Sequence, residues 1–288
     1  MHLHEELRRV GVEPDSWLHG SAAQVALTFD VDAETNLLSR TDAYLEHLST
    51  VSHQQYGPRI GVPRILRMLE RCGAPATFFV PGLTADRWPE TVTAIAEAGH
   101  EVGVHGYRHL TPVELSPDDQ RREFEQGLAA LRRLGIEPAG YRAPNWSTSI
   151  LTLRLVKEHG LAYDSSLMDD DRPYRLEAPW GPLAELPPHW MLDDWEQYAY
   201  LPDPDIGQHI EPTRKVLEIW TEELEAMRDT RSLFVVTCHP MLSGRPSRVA
   251  VIERFIEFAR EKGDVSFARC RDVAAAVLQA APVPYALP

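Results

Sequence analysis

The sequence predicts an α/β fold, a single domain in which a parallel sheet wrapped by helices forms an irregular, closed or nearly closed (β/α) barrel of about seven or eight units. Three observations carry that expectation. Strand and helix patterns alternate along the chain about seven or eight times. The chemistry-bearing residues Asp30 and Asp32, His105, Arg142 and His239 fall at the ends of successive strands, where a parallel barrel gathers its chemistry. The first strand runs into Asp-Val-Asp rather than a glycine-rich turn, which disfavours the runner-up, an open doubly wound sheet of the dinucleotide-binding kind. With 288 residues, 43% of them hydrophobic, the chain can bury one large core.

In chain order, residues 1–20 read as a short amphipathic lead-in and residues 21–288 as the main domain. Val25, Leu27 and Phe29 alternate with smaller residues, the pattern of a buried strand, and the run stops at Asp30-Val31-Asp32-Ala33-Glu34. If the extended conformation persists, these three carboxylates face one way. They then repel one another unless a cation or a proton sits between them. Residues 35–55 are polar and read as an excursion over that strand end. The helix that follows carries Ile65, Leu66 and Leu69 on one face and stops at Gly73. Strands are expected over 76–80 and 100–104, with a helix over 89–99 whose Pro89 suits a first turn. Ser116-Pro117 opens a helix through Leu134, serine as cap and proline in the first turn. A short strand over 139–141, a helix over 148–159, a helix over 211–228 and the apolar strand 232–238 come next. A helix over 248–262, a strand near 265–268 and a helix over 271–281 close the domain. Residues 169–210, rich in Asp, Pro and Trp, read as an ordered excursion near the site, because Trp180, Trp190 and Trp195 are too apolar for a solvated tether.

The composition excludes several functions. A net charge of -14 repels nucleic acid and anionic membrane surfaces. The three cysteines, Cys72, Cys238 and Cys270, are too few and too far apart for a disulfide framework or a CxxC metal site. No run is long and apolar enough to span a bilayer and none resembles a signal peptide, so a cytoplasmic location is expected. His105 and His109 form an HxxxH pair at a strand end, and Gly106 lets the chain turn so that both imidazoles reach one spot. Two neutral imidazoles and one carboxylate suit a divalent transition ion such as Zn²⁺, with positions left for water and substrate.

Joined in order, Thr28-Phe29-Asp30-Val31-Asp32, His105-Gly106-Tyr107-Arg108-His109 and Arg142-Ala143-Pro144 resemble the three motifs of the polysaccharide deacetylase family (carbohydrate esterase family 4), with His239 matching a later strand-end histidine. The resemblance covers roughly residues 22–275. Asp-Val-Asp stands where the family has Asp-Asp-Gly, so the metal-binding aspartate is displaced by one residue. The segments 163–174 and 238–248 resemble a leaderless branch that includes cytoplasmic peptidoglycan-deacetylase-like proteins, cyclic imidases and allantoinase-like enzymes.

By this resemblance Asp32, His105 and His109 hold a divalent metal, Zn²⁺ first with Co²⁺, Ni²⁺ or Mn²⁺ as alternatives, and Asp30 is the general base for a metal-activated water. Arg142 pairs with Asp30, a backbone N–H near Asn145 stabilises the oxyanion, and His239 protonates the leaving nitrogen. Asn145, Trp146, Asp171, Arg172, Trp195 and Arg245 are candidates for the substrate pocket. The expected activity is hydrolysis of a non-peptide carbon–nitrogen bond in a small amide or cyclic imide, because the excursion is long enough to roof the site and the charge does not suit anionic glycans. The alternatives are an N-acetyl-sugar or peptidoglycan deacetylase, an esterase using the same machinery, and a non-catalytic ligand-binding protein on the same fold. A homo-oligomer is compatible with all of them.

Overall fold

The computed structural model describes residues 2–4, 6–207 and 210–284. The strands that position the site are, in chain order, Leu7–Val12 (β1), Ala23–Asp30 (β2), Thr77–Val80 (β3), Glu101–Val104 (β4), Gly140–Tyr141 (β5), Tyr163–Asp164 (β6), Tyr174–Glu177 (β7), Leu183–Glu185 (β8), Leu233–Cys238 (β9) and Val265–Phe267 (β10). Hydrogen-bonded neighbours run β9, β2, β3, β4, β5, β6, β8, all parallel. The sheet continues antiparallel through β7 and β1. β10 takes the same edge of β2 as β3 does, pairing its first residues while β3 pairs its last.

Period-two alternation decides what each face of a strand meets. On β2, Val25, Leu27 and Phe29 pack outward with Ile65, Leu69 and Phe255 of the surrounding helices. The alternate residues face inward. Ala26 joins Phe79, Tyr163, Ala184 and Val235 in a second apolar cluster that fills the bottom of the barrel against Val273 and Val277. Above that plug the inward residues turn polar, with Thr28, Asp30, Arg142 and Thr237 all buried. The barrel is therefore dry at its amino-terminal end and chemically equipped at the other.

No ladder of hydrogen bonds closes the barrel between β8 and β9 among the described residues. The gap is crossed by the segment after β8, where a parallel bridge links Asp193 to Thr237 and the Asp194 N–H donates to the Thr237 carbonyl at 2.9 Å. The nearly closed form of the expectation is the one observed. The residues read as a lead-in supply β1, paired antiparallel with β7. The excursion over 169–210 is more regular than its composition suggests, since it contains β7 and β8.

The helix Pro117–Arg133 starts where expected, Ser116 Oγ accepting from the Asp119 N–H at 3.2 Å with Pro117 in the first turn. It lies against the turn at Gly106, and a Cβ on Gly127 would come within 2.3 Å of the Gly106 carbonyl oxygen. Among the described residues no helix is long and apolar enough to cross a membrane.

Candidate active site

Four of the parallel strands deliver a polar side chain to the site at their carboxyl ends. β2 ends on Asp30, β4 leads into His105, β5 into Arg142 and β9 into His239. Beyond β2 the extended conformation does not persist. Ala33 takes a left-handed φ of 51°, so Asp30 and Asp32 stay in the site while Glu34 leaves it. Glu34 instead accepts from Arg87 Nε at 2.6 Å and Trp88 Nε1 at 3.0 Å. His109, Asn145 and Trp146 also have positive φ, so non-glycine left-handed residues cluster around this cavity, as strained backbone does at functional sites.

Asp32, His105 and His109 converge, with their candidate ligand atoms all within 4.8 Å of one another. His105 Nε2 is 3.6 Å from Asp32 Oδ1 and His109 Nε2 is 3.5 Å from Asp32 Oδ2. Both Asp32 oxygens are buried without a hydrogen bond of ordinary geometry. A buried carboxylate left so is costly unless a cation meets it. Burial pushes the Asp32 carboxyl up, an effect that His105 and His239 partly offset. Burial likewise depresses His105 and His109 to about 4, so both imidazoles are neutral and have a lone pair to give. His105 Nδ1–H donates to the Arg142 carbonyl at 2.8 Å, which leaves Nε2 as the free donor atom facing Asp32. The HxxxH turn is fixed from outside: Glu123 accepts from the N–H groups of Tyr107 at 3.0 Å, Arg108 at 2.5 Å and Leu110 at 3.3 Å. This donor set fits a divalent transition ion.

Asp30 is held differently. Burial would raise its carboxyl, but Arg142 outweighs that, with help from His105 and His239, and keeps it below the usual carboxylate range. Arg142 Nη1 donates to Asp30 Oδ1 and Thr28 Oγ1, both at 2.8 Å, while Nη2 donates to Ser165 Oγ at 3.0 Å. Asp30 is thus an ionised, oriented carboxylate 3.9 Å from His105 Nε2.

His239 faces the same spot from the opposite wall, its Nε2 3.8 Å from Asp32 Oδ2. Its Nδ1–H donates to Asp194 Oδ1 at 2.8 Å, and Asp193 Oδ1 lies 3.5 Å away. Burial works against a charged imidazole here, but Asp193, Asp194 and Asp32 together raise it to about 10. At neutral pH its imidazole is therefore charged. Asp194 is itself anchored by the His239 N–H at 2.9 Å and by the Ser243 hydroxyl.

These groups line a cavity of about 360 Å³ together with Asn36, Arg40, Asn145, Trp146, Trp190 and Trp195. The rings of Trp146 and Trp190 stack with centroids 4.4 Å apart, and Trp195 meets His239 edge-on. Of the residues read from the sequence, Asp30, Asp32, His105, His109, Asn145, Trp146, Trp195 and His239 line this cavity, and Arg142 lies directly behind it. Asp171, Arg172 and Arg245 do not. The Asp171 carbonyl accepts from the N–H of Leu233, at the start of β9 and so at the far end of the barrel, and Arg172 lines a separate surface hollow with Pro14. Arg245 caps the helix Pro246–Glu261 and lies over the Tyr56 ring. The first half of the excursion runs back along the barrel, and only its second half returns to roof the site. Asp193, Asp194 and Trp190 were not legible as site residues, although Asp193-Asp194 between Leu192 and Trp195 was an available signal, an acidic pair among apolar residues.

The chain is similar to known proteins over most of its length. Residues 19–163 match the family model described as polysaccharide deacetylase. A Mycobacterium smegmatis protein of known structure assigned to the polysaccharide deacetylases is 44% identical, with a TM-score of 0.91 over 98% of this chain and 99% of that one. The peptidoglycan deacetylase of Helicobacter pylori is 27% identical over 278 residues, 87% of this chain and 94% of its own length. The PuuE allantoinase shares the fold, with a TM-score of 0.79 at 24% identity over 92% of each chain.

Proposed function

The chain belongs to the polysaccharide deacetylase family, hydrolases of non-peptide carbon–nitrogen bonds, and from that premise we propose that it is a metal-dependent enzyme cleaving a small cytoplasmic amide or cyclic imide. The observation that carries the metal dependence is the buried Asp32 carboxylate, without ordinary hydrogen bonds and facing two neutral imidazoles. Asp32, His105 and His109 would hold the ion, Zn²⁺ being the first choice for this donor set. A divalent ion bound there would lower the pKa of water and polarise the scissile carbonyl. Asp30 takes the proton of the attacking water, and Arg142 keeps it ionised and aimed. His239 delivers a proton to the leaving nitrogen through Nε2, while Asp194 fixes the ring through Nδ1. No residue of the chain needs to form a covalent bond to substrate.

The cavity supports a small substrate. About 360 Å³ lies near the lower end for ligand sites, which run from roughly 300 to 1,000 Å³. Trp146 and Trp190 wall it as a stacked pair, which favours a compact planar amide or imide over a polymer chain. One observation favours the second reading, an N-acetyl-sugar or peptidoglycan deacetylase. A neighbouring hollow of about 430 Å³, sharing Arg40, His109 and Asn145 with the first, is lined by Thr111 and Glu114 and suits a hydroxylated unit. Turnover by the zinc-loaded protein discriminates the two. Cyclic imides and ureides are expected to give a kcat/KM at least about tenfold above that of N-acetylglucosamine oligomers. Faster turnover of the oligomers would reverse the assignment.

A further inference from the structure

Arg142 orients Asp30 and, through its carbonyl, His105, so whatever fixes Arg142 governs both the base and a metal ligand. The guanidinium is anchored by Ser165, through Oγ at 3.0 Å and the carbonyl at 3.2 Å. The next residue continues the anchor: Ser166 Oγ accepts from the Ala143 N–H at 2.9 Å and donates to Asp164 Oδ1 at 3.0 Å. Glu185 Oε1 accepts from the N–H groups of Ser166 at 2.9 Å and Leu167 at 3.0 Å. The turn over 165–167 therefore hangs on two carboxyl groups.

Those two groups are neighbours. β6 and β8 pair in parallel with Asp164 directly opposite Glu185, and both residues are fully buried. Both carboxyls also hold Ser166, Asp164 through its hydroxyl and Glu185 through its N–H. Asp164 Oδ2 and Glu185 Oε2 are buried without a hydrogen-bond partner. Two buried carboxylates facing each other across paired strands and holding the same residue cannot both be ionised. We infer that Asp164 and Glu185 share one proton, and that this acid pair is the positioning device that locks the 165–167 turn and, through it, Arg142, Asp30 and His105.

Arg9 of β1 lies over the Tyr174 ring and donates to Asp169 and Asp170. Arg142 is the charged group facing the pair, from the end of β5, and its Nη1 is already committed to Asp30. Tyr141 of β5 and Tyr174 of β7 also face it, as phenols kept neutral by burial. Burial raises both carboxyls, Asp164 to about 7 and Glu185 well above its usual value. The sign follows. For an acid raised in the folded state, the protein binds more protons than the unfolded chain, so stability falls as pH rises from the usual carboxylate value through the raised one. Loss of the shared proton leaves two facing carboxylates and loosens the turn.

The inference rests on the proposed roles of Asp30 and His105, but its test does not need the substrate. Glu185→Gln keeps Oε1 as acceptor and presents an N–H₂ to an ionised Asp164, and Asp164→Asn does the converse, so either variant replaces the shared proton with a permanent one. Thermal unfolding of the zinc-loaded protein is followed from pH 6 to pH 9. Wild type is expected to lose several degrees more in Tm than either amide variant across that range, while all three are alike within a few degrees at pH 6. Zn²⁺ affinity should fall about 10- to 100-fold in Glu185→Leu, which leaves the Ser166 and Leu167 N–H groups without an acceptor, and should be retained in Glu185→Gln. Superimposable Tm–pH curves for wild type and Glu185→Gln would overturn the inference. So would failure of both amide variants to fold at pH 6, because the amide reproduces the shared-proton contact more closely than any other side chain. An enzyme inactive on every amide tested, yet showing the Tm difference, would count against the proposed reaction and leave the acid pair standing.

Discussion

Asp30→Asn is expected to lower kcat by about 10²- to 10⁴-fold, the range that a positioned general base supplies, while leaving metal content unchanged. The reasoning is geometric. Asparagine has the shape of aspartate, and its carbonyl oxygen can still accept from Arg142 Nη1, so the barrel interior stays packed. Asp32, His105 and His109 form the converging set without Asp30, so ion binding should survive. What is lost is a carboxylate that burial alone would protonate and that Arg142 keeps ionised. Steady-state kinetics beside metal analysis checks this. A kcat within about threefold of wild type would remove Asp30 from the chemistry and move the base to another group.

Arg142→Met is expected to destabilise the fold by about 3–5 kcal/mol, the cost of stripping one partner from a buried ion pair. The arginine is fully buried and donates to Asp30, Thr28, Thr237 and Ser165, so its removal leaves a buried carboxylate and three hydroxyls short of a donor. Asp30 is the larger part of that cost. The double variant Asp30→Asn, Arg142→Met should therefore recover part of the loss, a coupling that a double-mutant cycle in urea measures. A single-variant cost below about 1 kcal/mol would show that the pair contributes little beyond an exposed salt bridge.

Which parts of this site were legible in the sequence follows from how local each one is. Asp30, Asp32, His105, Arg142 and His239 each sit at the end of a strand whose own pattern announces it, and parallel strands bring such ends together without further information. Asp193 and Asp194 depend instead on the path of a long segment across the open side of the barrel, where a bridge to Thr237 sets their place. The same segment took Asp171 and Arg172 to the other end, although their composition resembles that of the residues that returned. Glu34 was read with its neighbours because extended chain repeats every two residues, and the left-handed turn at Ala33 broke that repeat. The Asp164–Glu185 pair needed the register between two short strands, which no local pattern encodes.

In the proposed mechanism, the aspartate displaced by one residue still completes a metal site with the HxxxH pair. Metal analysis of the purified protein, beside the His105→Ala, His109→Ala double variant, tests it most directly. About one equivalent of zinc or a similar divalent ion in the wild type, absent from the variant, is the expected result for a three-residue site. A wild type that holds no metal after exposure to excess Zn²⁺, Co²⁺ or Ni²⁺ would contradict the account, and would leave the Asp32 carboxylate as a buried acid rather than a ligand.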